Sequence, residues 1–162
     1  VYKLTQEDEK TRKLENVRKL WDAILEIRPV KNVFMEGDIN RESYAVDHFI
    51  PRNFVMNDEL WNLMPMDPMQ NMQKNKKLPA WNDYFEQFAN NQFIMYELIH
   101  EKPGLRKLYK QCYKDNLHSI WAVQELYRQG NSPTEFINIL EKNMQPVYDS
   151  ARRQGYEIWK VS

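Results

Sequence analysis

Apolar residues recur at helical spacing in the first part of the chain. Leu14, Val17, Trp21, Ile24 and Leu25 fall on one stripe while charges fill the opposite face, which predicts a helix from Thr5 to Arg28. Thr5 is placed to cap it, Glu7, Asp8 and Glu9 sit in its first turn, and Pro29 stops it. The pattern then changes. Gly37-Asp38 is a turn signal, Tyr44 to Ile50 is β-prone, and Trp61 to Met66 suits a second strand. Pro51 to Leu60 is a loop between them, and Pro68 to Lys77 reads as a short helix with Pro near its first position. The order is strand, loop, strand, helix.

Helical spacing returns after that. Trp81, Tyr84, Phe85, Phe88, Met95 and Ile99 mark one stripe from Ala80 to Glu101, which Pro103-Gly104 breaks. Leu105, Leu108, Cys112, Ile120 and Trp121 predict one helix from Leu105 to Gln129, ended by Gly130-Asn131. Ser132-Pro133-Thr134-Glu135 is a capping box with Pro at the first helical position. The helix it opens carries Phe136, Ile137, Leu140 and Met144, should kink or restart at Pro146, and ends at Gly155 before a short extended tail, Tyr156 to Val161. The fold class is therefore α+β, a small strand-strand-helix unit inside a mainly helical body. Three stretches organise it: a helix over 1–29, the unit over 30–79, and helices over 80–162 packed on it as one compact domain.

Composition narrows the function. The chain has 162 residues, 42% apolar and 13% aromatic, enough to bury a core. Its 23 basic and 23 acidic residues balance, so it has no global attraction to polyanions, and any nucleic-acid surface must be a local patch or come from a partner. A single cysteine, Cys112, excludes an internal disulfide and a Cys-based zinc knuckle, and a cytoplasmic setting fits that. No apolar run reaches the length of a membrane span, so no membrane association is expected. The chain opens on Val1 rather than Met, which reads as an excised domain or a processed chain.

The chemistry-bearing residues lie between Val46 and Pro79. They are Asp47-His48, Asn62, Asn71, and Lys74 three residues after Asn71. Phosphodiester hydrolysis needs an activated water and relief of charge at the phosphate. A neutral histidine can take the water's proton near neutral pH. A carboxylate and an amide oxygen are hard ligands suited to Mg²⁺, which keeps several waters. Neighbours on a strand point to opposite faces, so Asp47 and His48 can share a site only if the strand twists or ends there, and Pro51 offers such an ending.

Together these residues resemble the ββα-metal, or HNH, nuclease motif, in the form written Asp-His-x-x-Pro, then Asn, then Asn-x-x-Lys. The HNH domain of RNA-guided CRISPR effector nucleases has this arrangement, as do small bacterial HNH proteins with a segment like DHFIPxxFVxxDELWNL. The resemblance covers about a fifth of the chain. It implies a metal-dependent endonuclease, with double-stranded DNA as substrate. His48 would be the general base, Asp47 and Asn71 would ligate one divalent metal, Mg²⁺ or else Mn²⁺, and Asn62 would hold the loop or His48 in orientation. Lys74 would approach the phosphate or brace the helix, and Lys76, Lys77 and Arg52 would contact nucleic acid. Two departures concern fine positioning: Asn53 stands where the family often has Ser, and Met72 to Lys76 replace a run of smaller residues.

Other signals have plainer readings. Asp58 and Glu59 fall in the predicted loop and read as a solvated turn. His100 and His118 read as surface or helix-end residues, and Cys112 as core. The basic run Lys102, Arg106, Lys107, Lys110 and Lys114 is a solvated face or a phosphate-tracking stripe. The rival functions are a non-cleaving HNH-like module that binds nucleic acid or protein in a larger assembly, and a toxin, defence or assembly role carried by the helical remainder.

Overall fold

The computed structural model describes residues 13–162, so the Thr5 cap and the acidic turn after it lie outside the described residues. Helix α1 spans Glu15–Ile27 and buries Val17, Trp21, Ile24 and Leu25 of the predicted stripe, with Leu20 beside them, while Leu14, just before its first turn, is half-buried. Past Pro29, the turn at Gly37 closes with Asn32 N–H donating to its carbonyl at 2.9 Å. Gly37 has φ near 100°, a conformation that costs a side-chain-bearing residue.

Strand β1 (Ala45–His48) pairs antiparallel with β2 (Leu63–Met66), His48 opposite Leu63 and Ala45 opposite Met66. The connection is partly ordered into a four-residue helix α2 (Arg52–Val55) and a single 3₁₀ turn, Leu60–Asn62, which takes the first two residues of the expected second strand. Pro65 is tolerated opposite Val46 because both strands of a two-stranded ribbon are edges. Helix α3 (Pro68–Lys74) follows, with the Asp67 side chain accepting from Gln70 N–H and Pro68 at the first position. It is shorter than expected, since Asn75 turns to φ 51° and ends it. The ββα order predicted from the pattern is thus present.

The helical body wraps this unit. Helix α4 (Trp81–Glu101) reaches β2 through Gln92, whose amide donates to Leu63 O at 2.8 Å in the interior. Helix α5 (Pro103–Gln111) packs against both α1 and α4, and α4 also packs against α7 (Pro133–Arg153). The capping box at Ser132 forms as the sequence predicts, with Glu135 N–H donating to Ser132 Oγ and Ser132 N–H to Glu135 Oε1. Helix α7 is continuous through Pro146, without a restart there, and Met144 on one side and Tyr148 and Ala151 on the other are buried in the core. The chain after Gly155 returns to the unit: β4 (Ile158–Trp159) pairs in parallel with β3 (Leu78–Pro79), just beyond α3.

One prediction fails. The helix expected from Leu105 to Gln129 is broken. After α5 come a single turn, α6 (Tyr113–Asn116), an extended stretch over 117–119, and a π-type turn over Ala122–Leu126. Ile120, assigned to the apolar stripe, is 71% exposed. The break occurs where groups of the β-unit take over the backbone. Asn116 donates its amide to Lys13 O and Asp58 O, each at 2.8 Å, and the Glu59 carboxylate accepts from His118 N–H and Ser119 N–H at 2.8 and 3.0 Å.

The core is one continuous apolar cluster that includes residues of α1, strand β2, Tyr44 and Phe49 on either side of β1, α4, α5 and α7, with Val46 of β1 packed against it. Phe49, the residue after His48, is fully buried against Phe88, ring centroids 4.5 Å apart, with Trp81 and Phe85 edge-on at 6.1 Å. Its ring therefore anchors the end of β1 to α4. Phe49→Ala should destabilise the protein by about 3–5 kcal/mol in urea unfolding. A loss below about 1 kcal/mol would mean that the hairpin end is not seated on α4 in this way.

Candidate functional site

The strand ends at His48 and the chain turns through Pro51, so the alternation that would separate Asp47 from His48 lapses there. Both residues line one cleft of about 280 Å³, together with Val46, Pro51, Arg52, Asn53, Asp58, Asn75, Lys76 and, from the start of α1, Leu14.

Asn62 fixes the turn. Its side chain accepts from Ile50 N–H at 2.9 Å and donates to Ile50 O at 2.8 Å, while its own carbonyl accepts from Phe49 N–H at 2.8 Å. A fully buried amide that satisfies both backbone groups of one residue holds the segment after His48 like an added rung of the ladder.

Lys74 fixes the helix. Its ammonium is fully buried and donates to Asp47 Oδ2 at 3.1 Å and to His48 O at 2.9 Å. A buried cation is tolerable only when paired and hydrogen-bonded, and these contacts dock the last turn of α3 on β1. Lys74 is thus placed as a brace, not as a surface cation facing a phosphate. Lys76 is exposed and lines the cleft, whereas Lys77 is half-buried with Glu157 at 3.8 Å. Arg52 lines the cleft with its guanidinium Nε donating to Asp58 Oδ1 at 3.0 Å.

Asn71 is half-buried on α3, one turn before Asn75, and is not among the residues that line the cleft. Asn75, which the sequence did not single out as a site residue, is among them, in a left-handed backbone conformation.

Asp58 and Glu59 are not a solvated turn. They are 3% and 1% exposed. Glu59 accepts from Trp61 Nε1–H at 3.0 Å besides capping 118–119. Asp58 Oδ1 meets His48 Nε2 at 2.9 Å as well as Arg52, and Asp58 Oδ2 is buried with no hydrogen-bond partner among the described residues. Burial alone would raise the Asp58 carboxyl's pKa. The hydrogen bond from His48 and the charge of Arg52 outweigh it and hold the group below the ordinary carboxylate value. No period marks such a residue. The only signal in the sequence is a carboxylate pair in a short loop flanked by a histidine and an arginine.

The remaining candidates lie elsewhere. His118 is exposed. His100 stays at the end of α4, its imidazole on Tyr127 O at 2.7 Å, with burial and Arg106 lowering its pKa despite that bond. Burial pushes the Cys112 thiol up to about 12, which leaves it an inert core residue. In the basic run, Arg106 is half-buried and donates to Ile99 O and His100 O, and Lys102 lies 3.7 Å from the Glu101 carboxylate, which leaves Lys107, Lys110 and Lys114 as exposed cations without an ion-pair partner among the described residues.

The donor set around Asp47 suits a hard ion. Among the described residues no three His, Cys, Asp or Glu side chains converge as a closed cage, which disfavours a structural zinc site. One carboxylate at the cleft and an amide on the adjoining helix are enough for an ion that retains most of its water.

Residues 34–80 match the sequence model of the HNH endonuclease family. The match contains β1, β2, α3 and every residue of the cleft except Leu14. The ββα unit of this chain is accordingly similar to HNH endonucleases over that segment, which suggests nuclease-type chemistry. Among curated proteins, the chain is similar to the ferric/cupric reductase transmembrane component 7 of two Saccharomyces cerevisiae strains, YJM789 and ATCC 204508 / S288c. The identity is 28% over 75 residues, 46% of this chain and 12% of each relative. The chain thus spans a small part of those relatives' length, and at that identity the likeness assigns it no chemistry. No solved structure matches the chain. No helix among the described residues is long and apolar enough to cross a membrane.

The buried Asp58 pair has a consequence for stability. Because the folded-state pKa is depressed, the carboxylate's contribution is present above the ordinary value near ~4 and is lost as pH falls through the folded value. Asp58→Asn should cost about 1–3 kcal/mol at pH 7, and the gap to the parent should narrow below pH ~4, as read by urea unfolding across pH. A gap that stays constant down to pH ~2 would show that Asp58 is not held ionised by its partners.

Proposed function

We propose that the protein is a metal-dependent endonuclease that hydrolyses phosphodiester bonds, with double-stranded DNA as the substrate by family likeness. The observation that carries this reading is the convergence of Asp47 and His48 on one cleft, within the segment that matches the HNH family. In this reading His48 accepts a proton from water as its oxygen forms the new bond to phosphorus. The bond from phosphorus to the leaving sugar oxygen breaks, and that oxygen takes a proton from solvent. Asp47, through the oxygen not taken by Lys74, would hold one divalent ion, Mg²⁺ or Mn²⁺, and Asn71 on the adjoining helix would be its second ligand. When bound, the ion supplies relief of negative charge at the phosphate. Asn62 keeps the His48 turn rigid, Lys74 fixes Asp47, and Lys76 and Arg52 are the cations at the cleft that face a phosphodiester.

The charge balance qualifies how substrate arrives. With 23 charges of each sign, attraction to DNA depends on those local cations or on a partner in a larger assembly.

The test is plasmid nicking with Mg²⁺ or Mn²⁺. His48→Ala should lower the rate by about 10²-fold or more with the fold retained by circular dichroism, and chelation should abolish cleavage by the parent. Cleavage by a folded His48→Ala protein at the parent's rate would remove His48 as the base. A parent that binds DNA yet never nicks it would favour the non-cleaving module.

A further inference from the structure

The contact between His48 and Asp58 decides more than stability. We propose that Asp58 is a positioning residue: it fixes the tautomer of His48 with the proton on Nε2, so that His48 acts through Nδ1. This deepens the nuclease reading and rests on it for the role of Nδ1, but the tautomer itself is independent of any activity.

The assignment follows from what each group can offer. A carboxylate only accepts, and a neutral imidazole carries one N–H. Asp58 Oδ1 lies 2.9 Å from His48 Nε2 and also receives Arg52 Nε–H at 3.0 Å. At neutral pH a carboxyl paired with a guanidinium is ionised and has no proton to give, so the proton of the Nε2 contact belongs to the histidine. Nδ1 is left with a lone pair on a residue that lines the cleft.

The pair is built rather than incidental. Its side chains are 8% and 1% exposed, so little water competes for the bond. The Asp58 main chain is held from the other side of the molecule by Asn116, and the next residue, Glu59, is locked onto 118–119. Met56 turns the chain back at φ 60° immediately before Asn57 and Asp58, a left-handed conformation that methionine rarely adopts. The helical body therefore has a defined role at the cleft: through Asn116 and 118–119 it holds the loop whose carboxylate meets the ring.

Asn62 and Asp58 divide the task. Asn62 bonds the backbone that follows His48, and Asp58 bonds the ring. Loss of Asp58 leaves the turn intact while the imidazole can rotate or exchange tautomers.

The experiment uses the full chain labelled with ¹⁵N in its histidine rings, without metal, and reads the His48 ring nitrogens by NMR at a pH where the ring is neutral. His48→Gln assigns the signals. The parent should show a protonated Nε2 and an unprotonated Nδ1, and Asp58→Asn should mix the tautomers. In metal-dependent nicking, Asp58→Asn should lower kcat by about 10²–10⁴-fold with KM nearly unchanged, as loss of an orienting carboxylate does elsewhere. A proton on Nδ1 in the parent overturns the proposal, and that measurement needs no variant to fold. So does a folded Asp58→Asn protein with the parent's tautomer and kcat. If the parent shows the Nε2–H form but nicks no nucleic acid under any metal, the nuclease reading fails together with the role given to Nδ1, while the pairing of Asp58 with the ring stands.

Discussion

The buried ammonium of Lys74 is the constraint on which the rest of the site depends. A cation removed from water must find partners, and here they are the Asp47 carboxylate and the His48 carbonyl, both on the last two residues of β1. Those bonds set where α3 lies against the hairpin. They also bring Asn71 and Asn75, on the same short helix and its cap, beside the strand that bears the chemistry. Replacing the ammonium alone would leave a partly buried carboxylate uncompensated, so the unit is specified by a small polar network as much as by its apolar contacts.

Around that network, each layer removes one freedom from His48. Asn62 fixes the backbone after it, Phe49 seats the strand end on α4, and Asp58 meets the ring. The first arises within the hairpin unit itself, and the second where that unit meets α4. The third depends on Asn116 and on the interruption of the helical body at 117–119. The apparent defect in the long helix and the geometry of the cleft are thus one feature: groups of the loop replace helical hydrogen bonds, and the loop is held in return.

How much of this the sequence carried varies with its physical origin. The ββα order, the capping box at Ser132 and the extent of α4 were legible because local rules govern them: turn residues, caps and a 3.6-residue period. The clustering of Asp47 and His48 was legible from the pattern and its family likeness. The break at 117–119 was not, since Cys112 and Trp121 continue the apolar period across it while the causes, Glu59 and Asn116, act over more than fifty residues of sequence. Asp58 was misread for the same reason. Charged residues in a short loop are usually solvated, and nothing local announces that Arg52 and His48 will close over this one. Lys74 is an intermediate case: its place in the motif was visible, but its burial depends on how α3 docks.

The proposed chemistry requires the cleft beside Asp47 to hold a divalent ion. Titration of the ¹⁵N-labelled protein with trace Mn²⁺ tests it most directly, because a bound paramagnetic ion broadens only the signals near it. Selective loss of the amide signals of residues 46–48 and 71–76 is expected, and this loss should disappear in Asp47→Ala. Broadening centred elsewhere, or none at millimolar ion, would contradict it.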